Sequence, residues 1–167
     1  MSSNIEKLLD ETGWGLLNEL QKNARLTNTE LGQRVGLTSP AVADRIRRME
    51  EAGIIEGYHA KVDLNKVGLS VLAIIRLQGI AGLSCEYAAS QVSKIPEVIE
   101  CNRTTGDDSM VVKVAATSTE HLTKILDQIS RYGTPETSLV RSKPTIRSII
   151  TPEMLDNDGD FRRTTER

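Results

Sequence analysis

Aromatic residues are scarce in this sequence, which has one Trp, three Tyr and one Phe among 167 residues. Proteins that bind single-stranded nucleic acid usually stack bases on several aromatic side chains, so this composition disfavours that class. There are also only two cysteines, Cys85 and Cys101, which lie far apart with no histidine cluster nearby. That spacing argues against a zinc site or a disulfide framework, and we expect no metal, no cofactor and two ordinary small residues.

Long apolar runs and a targeting signal are missing as well. No stretch of about 18 apolar residues is available to span a bilayer. The N-terminal residues MSSNIEKLLDETG lack the basic and then apolar segments of a signal peptide. We therefore expect a cytoplasmic protein without a membrane partner.

Helical periodicity dominates roughly the first third of the chain. Gly36 is a natural left-handed end for the second predicted helix, and Thr27 or Asn28 is its candidate N-cap. Ser39 as an N-cap, followed by Pro40 at the first helical position, predicts the start of a third helix. Two helices joined by a short turn, the second carrying arginines, form a helix-turn-helix pattern, which is typical of DNA-binding proteins.

The third predicted helix has a buried side and a charged side. Val42, Ile46 and Met49 recur at helical spacing, and the residues opposite that stripe must face outward. An arginine fork matches phosphate oxygens or the guanine edge, so this surface is the candidate DNA-binding site. Its residues are Thr38, Ser39, Pro40, Ala41, Asp44, Arg47 and Arg48, together with Arg45, which the helical period places nearer the rim of the core.

A solvated charged face is the alternative interpretation of the same helix. Acidic neighbours, among them Asp44 and Glu51, offer the arginines local partners. The sequence up to Lys66 holds nine Lys/Arg against ten Asp/Glu, and the formal net charge of the chain is −2. A single copy would therefore attract DNA weakly, and useful affinity would need several copies on neighbouring half-sites.

The remainder of the chain alternates strands and helices in the order β-α-β-β-α-β, which predicts a ferredoxin-like domain. In that topology the first and third strands are central and the second and fourth lie at the edges. The nearly continuous apolar run of the first strand also suggests that a face of the sheet is buried against a partner, which favours a dimer. The first four predicted elements cover residues 69–80, 84–95, 98–105 and 109–116. A capping box that starts at Thr117 then begins a second helix that ends at Gly133, and the last strand covers residues 138–150.

The run LLNELQKNARLTNTELGQRVGLTSPAVADRIRRMEEAGIIEGY strongly resembles the N-terminal domain of the Lrp/AsnC (feast/famine) family. The resemblance extends over about residues 5–150. It implies an α+β protein with an N-terminal winged helix-turn-helix followed by a ferredoxin-like βαββαβ domain that senses effectors and mediates assembly. It also implies dimers that often assemble further into octamers or larger rings. The domains expected are residues 1–56, a linker strand at 57–68, residues 69–150 and a polar tail at 151–167. The linker strand is predicted because Tyr58, Ala60, Val62 and Leu64 alternate along it.

The resemblance also implies an amino-acid effector bound near the Gly-Asp turn. The turn departs from the family's usual Gly-Asp-aromatic-Asp pattern, because Asp108 and Ser109 occupy the last two positions. Solvated acids in a plain hairpin turn are the alternative interpretation. The candidate effector-binding residues are Thr104, Thr105, Gly106, Asp107, Asp108 and Ser109.

The leading hypothesis is therefore a DNA-binding transcriptional regulator whose partners are double-stranded DNA, further copies of itself and possible small effectors. One alternative is an architectural protein that wraps DNA without responding to a ligand. Another is a small-molecule binding module that does not bind DNA. An enzyme is disfavoured, since His59 and His121 lack flanking ligand patterns and no catalytic constellation is present.

Overall fold

The computed structural model describes residues 3–141 and 149–155. The chain divides into two compact units, one formed by Met1–Ala60 with Ile146–Arg167 and the other by Lys61–Thr145. From the sequence, the second domain was expected to end at residue 150, whereas the second compact unit ends at Thr145. Within the described residues, no helix is both long and apolar enough to cross a membrane.

The first unit is helical around a small apolar core. Leu16, Leu31 and Val42, each at most 1% exposed, come from three different helices and form its centre. The core therefore holds together the helices that the periodicity predicted. Its helices are α1 Ser3–Leu8, α2 Glu11–Lys22, α3 Asn28–Val35 and α4 Ser39–Glu51.

Side-chain caps define where these helices begin. Asp10 is the N-cap of α2, and its Oδ1 accepts a hydrogen bond of 2.8 Å from the Gly13 N–H. Thr27 is the N-cap of α3 and completes a capping box with Glu30. Of the two candidates for the α3 cap, the structure selects Thr27, because its hydroxyl reaches the Glu30 N–H.

The turn between α3 and α4 depends on two glycines. Gly36 ends α3 with a φ of 73°, a left-handed conformation that side chains with a Cβ rarely adopt. At Gly32 an added Cβ would lie 2.3 Å from the Leu37 carbonyl oxygen, so the turn can pack against α3 only above a glycine. Thr38 caps α4 by accepting from the Ala41 N–H, and the prediction that Ser39 is the cap was wrong by one residue.

The segment after α4 is not a strand in the single chain. Alternating apolar residues predicted a linker strand over residues 57–68, but residues 56–63 have no regular secondary structure and residues 64–68 form a turn. Alternation favours extended backbone, whereas a strand also needs a hydrogen-bonded neighbour, and the sheet pairs only four other segments.

The second unit is a four-stranded antiparallel sheet with order β2-β3-β1-β4 and two helices. Its central strands are β1 and β3 and its edges are β2 and β4, which confirms the prediction of a ferredoxin-like arrangement. Its elements are β1 Val71–Gln78, α5 Cys85–Val92, β2 Val98–Arg103, β3 Met110–Ala116, α6 Thr119–Ile129 and β4 Thr134–Leu139.

Two local predictions in this unit were displaced along the chain. The last strand was expected at residues 138–150 but runs from Thr134 to Leu139, and residues 142–148 of the expected strand lie outside the described part of the chain. The α6 cap was expected at Thr117, but Ser118 accepts the capping hydrogen bond from the His121 N–H. In both cases several consecutive polar residues are possible first residues of the element, so the sequence alone does not fix where it begins.

The sheet has one covered face and one open face. Both helices pack on the covered face, where Ile75, Val112 and Ile125 are fully buried. On the other face Ile74 of β1 is 39% exposed. On this open face Ile74 lies opposite Lys113 of β3 and Ser138 of β4, and the ion pairs Lys113–Glu100 and Arg76–Glu136 lie beside it.

Candidate DNA-binding face and effector hairpin

Helix α4 has one face in the core and one face in solvent. Val42 and Met49 are fully buried, which fixes the rotation of the helix about its axis. Asp44, Arg47 and Arg48 are consequently exposed on the opposite side, as the helical period predicts. The four residues at the helix start, Thr38 to Ala41, include three that are exposed and Ser39, which is half-buried.

Arg47 is held by two carboxylates of its own helix. It donates to Asp44 Oδ1 and to Glu51 Oε1, each at 2.6 Å, from its two terminal nitrogens. Hydrogen bonds from Asp44 and then Glu51 raise the pKa of the Arg47 guanidinium. The three side chains are all more than half exposed, so a ligand can reach them from solvent.

Arg45 points toward the body of the unit and not toward the outward face. Its guanidinium binds the Asp10 carboxylate and the carbonyl oxygens of Lys7 and Leu8, at the junction of α1 and α2. Its side chain is 21% exposed. The helical period had placed Arg45 near the rim of the core, but the period gives no signal for a partner 35 residues earlier.

Arg48 is the third arginine of α4 and differs from the other two. It is exposed, and no ion pair involving it occurs within residues 3–141 and 149–155. Of the three arginines, Arg48 is therefore the one that no carboxylate of the described residues pairs with. Among the described residues, the outward face of α4 thus carries two acids, Asp44 and Glu51, one paired arginine and one arginine without an ion pair.

The chain after α4 folds back onto that helix through Tyr58. The phenol donates a 2.9 Å hydrogen bond to Glu50 Oε1. Burial and this carboxylate together raise the pKa of Tyr58 to about 12. This hydrogen bond connects the segment that follows α4 to the last turn of that helix.

All six residues proposed for the effector site lie in the hairpin between β2 and β3. Gly106 has a φ of 107°, which allows the chain to reverse. The Thr104 hydroxyl donates to the Asp108 carbonyl at 2.7 Å, and its amide donates to the Ser109 carbonyl. Ser109 in turn donates from both its amide and its hydroxyl to the Leu77 carbonyl at 2.9 Å, which ties the hairpin to β1.

The acidic residues of the hairpin have different surroundings. Asp108 Oδ2 lies 3.7 Å from Arg76 Nε of β1, and Arg76 also pairs with Glu136 of β4. Asp107 is exposed and makes no ion pair with the part of the chain that the structure describes. The hairpin therefore offers one solvated carboxylate and one that is already partly neutralised. Across the described residues, no three potential metal ligands come together.

A helix-turn-helix with an outward-facing helix, joined to a separate ferredoxin-like unit, defines a two-domain transcriptional regulator. Residues 9–56 match the family model described as winged helix-turn-helix DNA-binding, and residues 70–150 match the Lrp/AsnC ligand binding domain. The chain belongs to the Lrp/AsnC family of transcriptional regulators.

Individual relatives agree with this assignment. YezC, an HTH-type transcriptional regulator of Bacillus subtilis, is 38% identical over 134 residues, which cover 80% of this chain and 94% of YezC. LrpC of the same organism is 30% identical over 135 residues, covering 81% and 93% of the two chains. The crystal structure of regulator NMB0573 from Neisseria meningitidis, in complex with L-methionine, has a TM-score of 0.81 at 28% identity. It covers 88% of this chain and 99% of that one.

Proposed function

We propose that this protein regulates transcription as a homo-oligomer that binds operators in double-stranded DNA through the outward face of α4. The observation that carries the proposal is the rotation of α4, fixed by Val42 and Met49, which leaves one face of the second helix of the helix-turn-helix free. The residues assigned to the contact are Thr38, Ser39, Pro40, Ala41, Asp44, Arg47 and Arg48, with Arg45 supporting the helix from behind.

Different parts of this face contribute differently. The residues from Thr38 to Ala41 are small, so the start of α4 can approach base edges closely. Arg48 supplies positive charge for a phosphate oxygen. Arg47 carries a second positive charge, but two carboxylates compete for it.

A mobility-shift titration with the full-length protein tests the DNA contact. The probe is a duplex selected by the wild-type protein from a random-sequence pool. The double variant Arg47→Ala/Arg48→Ala should bind it far more weakly, whereas Lys124→Ala on α6 should bind like the wild type. Circular dichroism melts establish that each variant is folded. Unchanged affinity of the folded double variant would remove α4 from the DNA contact.

We infer further that two copies associate through the open face of the sheet. Ile74 lies exposed at the centre of this face, and the pairs Lys113–Glu100 and Arg76–Glu136 lie around it. Within the described residues, no helix of the unit packs on this face, and an exposed apolar side chain among polar ones is common in protein–protein interfaces. Ile74→Asp should therefore convert the assembly to monomers in light scattering, and native mass spectrometry of the wild type counts the copies, including any octamer.

The third part of the proposal is an amino-acid effector at residues 104–109. It is supported by the match to the family's ligand binding domain and by the L-methionine bound to NMB0573. Asp107 is the solvated carboxylate available for an ammonium group, and the exposed turn offers backbone N–H groups for a carboxylate.

An architectural role without an effector is the second candidate, and the Arg76–Asp108 contact favours it. That contact uses one acid of the hairpin within the chain itself. Thermal-shift screening against the twenty amino acids separates the two functions, because a ligand that binds only the folded state raises its Tm by mass action. A Tm increase with particular amino acids, lost in Asp107→Ala, supports a sensor. No increase with any of them supports an architectural protein.

A further inference from the structure

The outward face of α4 carries acidic residues, whereas a surface that binds DNA is expected to carry mainly basic residues. Asp44, Arg47 and Glu51 lie next to one another on the side opposite the buried stripe, joined by the two 2.6 Å hydrogen bonds of Arg47. Two carboxylates and one guanidinium leave this group with a negative charge. Near the phosphate backbone such a group lowers affinity, so its place on this face requires another explanation.

A carboxylate on a DNA-facing helix has one favourable kind of partner, which is an exocyclic amino group at a base edge. In the major groove cytosine N4 is the donor to which Asp and Glu bind, whereas phosphates and carbonyl edges repel them. Arginine has the complementary preference, since its fork binds the O6 and N7 atoms of guanine together. Adjacent Asp and Arg side chains thus match the two halves of G·C base pairs.

The contact between Asp44 and Arg47 also fixes the arginine in space. A free arginine side chain loses rotamer freedom when it binds, and a side chain already held by a neighbour loses less. Asp44 Oδ1 accepts a hydrogen bond from one terminal nitrogen of Arg47. The other oxygen of the Asp44 carboxylate has no partner within the described residues. That oxygen remains available to accept a hydrogen bond from a base.

We propose that Asp44 is a specificity-determining residue that accepts from the amino group of a cytosine while it positions Arg47 on a guanine of the same or a neighbouring base pair. This inference rests on the proposed function, since it assigns base preferences to the DNA-binding face. It divides the face into base-reading residues, Asp44 and Arg47, and a phosphate-binding residue, Arg48.

Glu51 is a matched comparison within the same helix. It binds the other terminal nitrogen of Arg47 at the same distance as Asp44, and the two acids are exposed to similar extents, 60% and 55%. However, Glu51 is the last residue of α4, whereas Asp44 lies nearer the N-terminal end, which is the part of such a helix that usually meets base edges. Glu51 is therefore assigned an electrostatic effect only.

The experiment is selection from a random-sequence duplex pool with the full-length wild type and the variants Asp44→Ala, Asp44→Asn and Glu51→Ala. Selected sequences give the base preference at each position of the half-site, and titrations on single-base variants give the corresponding affinities. Asp44→Ala should lose the preference at a G·C position by about tenfold. Asp44→Asn, whose amide oxygen still accepts, should recover part of it. Glu51→Ala should bind more tightly with the same preferences.

Each outcome separates this inference from the proposed function. If the wild type selects no sequence, DNA reading by α4 itself fails. If the wild type selects an operator and Asp44→Ala selects the same one with the same discrimination, the assignment of Asp44 is overturned and DNA binding stands. Equal changes in Asp44→Ala and Glu51→Ala would show that both acids act only by charge, which also overturns the assignment.

Discussion

Asp10 and Arg45 connect the start of α2 to helix α4. Asp10 Oδ1 accepts both from the Gly13 N–H, as the α2 cap, and from the Arg45 guanidinium. Arg45 also binds the last carbonyl oxygens of α1, at Lys7 and Leu8. The Arg45 guanidinium thus links α4 both to the N-terminus of α2 and to the C-terminus of α1.

Replacing Arg45 with alanine should destabilise the helical unit by about 1–3 kcal/mol, because it removes the guanidinium that donates to Asp10 and to two carbonyl oxygens. The measurement is the free energy of unfolding in urea. Arg48→Ala is the control, since Arg48 is exposed and unpaired in the described chain, and it should change stability by no more than about 0.5 kcal/mol. Equal effects of the two substitutions would contradict a bracing role for Arg45.

The same carboxylate gives the helical unit an acid sensitivity. The hydrogen bond from the Gly13 amide, opposed by partial burial and reinforced by Arg45, lowers the pKa of Asp10. The stabilisation is therefore fully present well above the unfolded-state value of about 3.9 and is lost as the pH falls through the lowered pKa. Asp10→Asn keeps a capping oxygen but not the charge. Between about pH 6 and about pH 3, its free energy of unfolding should therefore change less than that of the wild type. A wild-type pH dependence retained by Asp10→Asn would assign the effect to other carboxyls.

The turn between α3 and α4 should tolerate substitution at one glycine better than at the other. Gly32→Ala would place a Cβ 2.3 Å from the Leu37 carbonyl oxygen and should cost at least about 2 kcal/mol, with weaker DNA binding as α4 is displaced. Gly36→Ala meets no atom within 4 Å and should cost about 1 kcal/mol for its left-handed backbone. Thermal melts and mobility shifts of both variants test this order of stability. A larger loss of stability in Gly36→Ala than in Gly32→Ala would contradict the prediction.

Gln21 holds the returning C-terminal segment against the helical unit. Its side-chain amide donates to the Ile150 carbonyl at 2.9 Å and accepts from the Ile150 N–H at 2.6 Å, beside an apolar groove of about 550 Å³ that contains Trp14 and Tyr58. Gln21→Ala should speed hydrogen exchange at the Ile150 amide by about tenfold. Gln21→Glu can still accept from that amide, so its exchange rate should lie between those of the wild type and Gln21→Ala. Unchanged exchange in Gln21→Ala would mean that the segment is held in another way.

The sequence predicts much of this architecture because its strongest signals are local. The buried stripe of α4 and the order of strands and helices in the second unit follow from periodicity, and both are confirmed. The cap of α4 was displaced by one residue because Thr38 and Ser39 are both good N-caps, and only the backbone geometry distinguishes them.

Contacts between distant residues could not be predicted in the same way. Arg45 and Gln21 look like surface side chains in a helical pattern, and their partners Asp10 and Ile150 lie 35 and 129 residues away. The segment at residues 57–68 fails for a related reason, since its alternation says nothing about whether a neighbouring strand exists to pair with it. The residue-level roles on α4 and in the hairpin remain predictions.

The measurement that tests the account most directly is the salt dependence of DNA binding by the wild type and by Arg48→Ala, with Lys124→Ala as the control. Each phosphate contact contributes about 0.9 to the slope of log K against log salt concentration. The account predicts that Arg48→Ala binds more weakly with a slope that is shallower by about that amount, while Lys124→Ala matches the wild type. The same affinity and the same slope for Arg48→Ala and the wild type would contradict DNA binding through the outward face of α4.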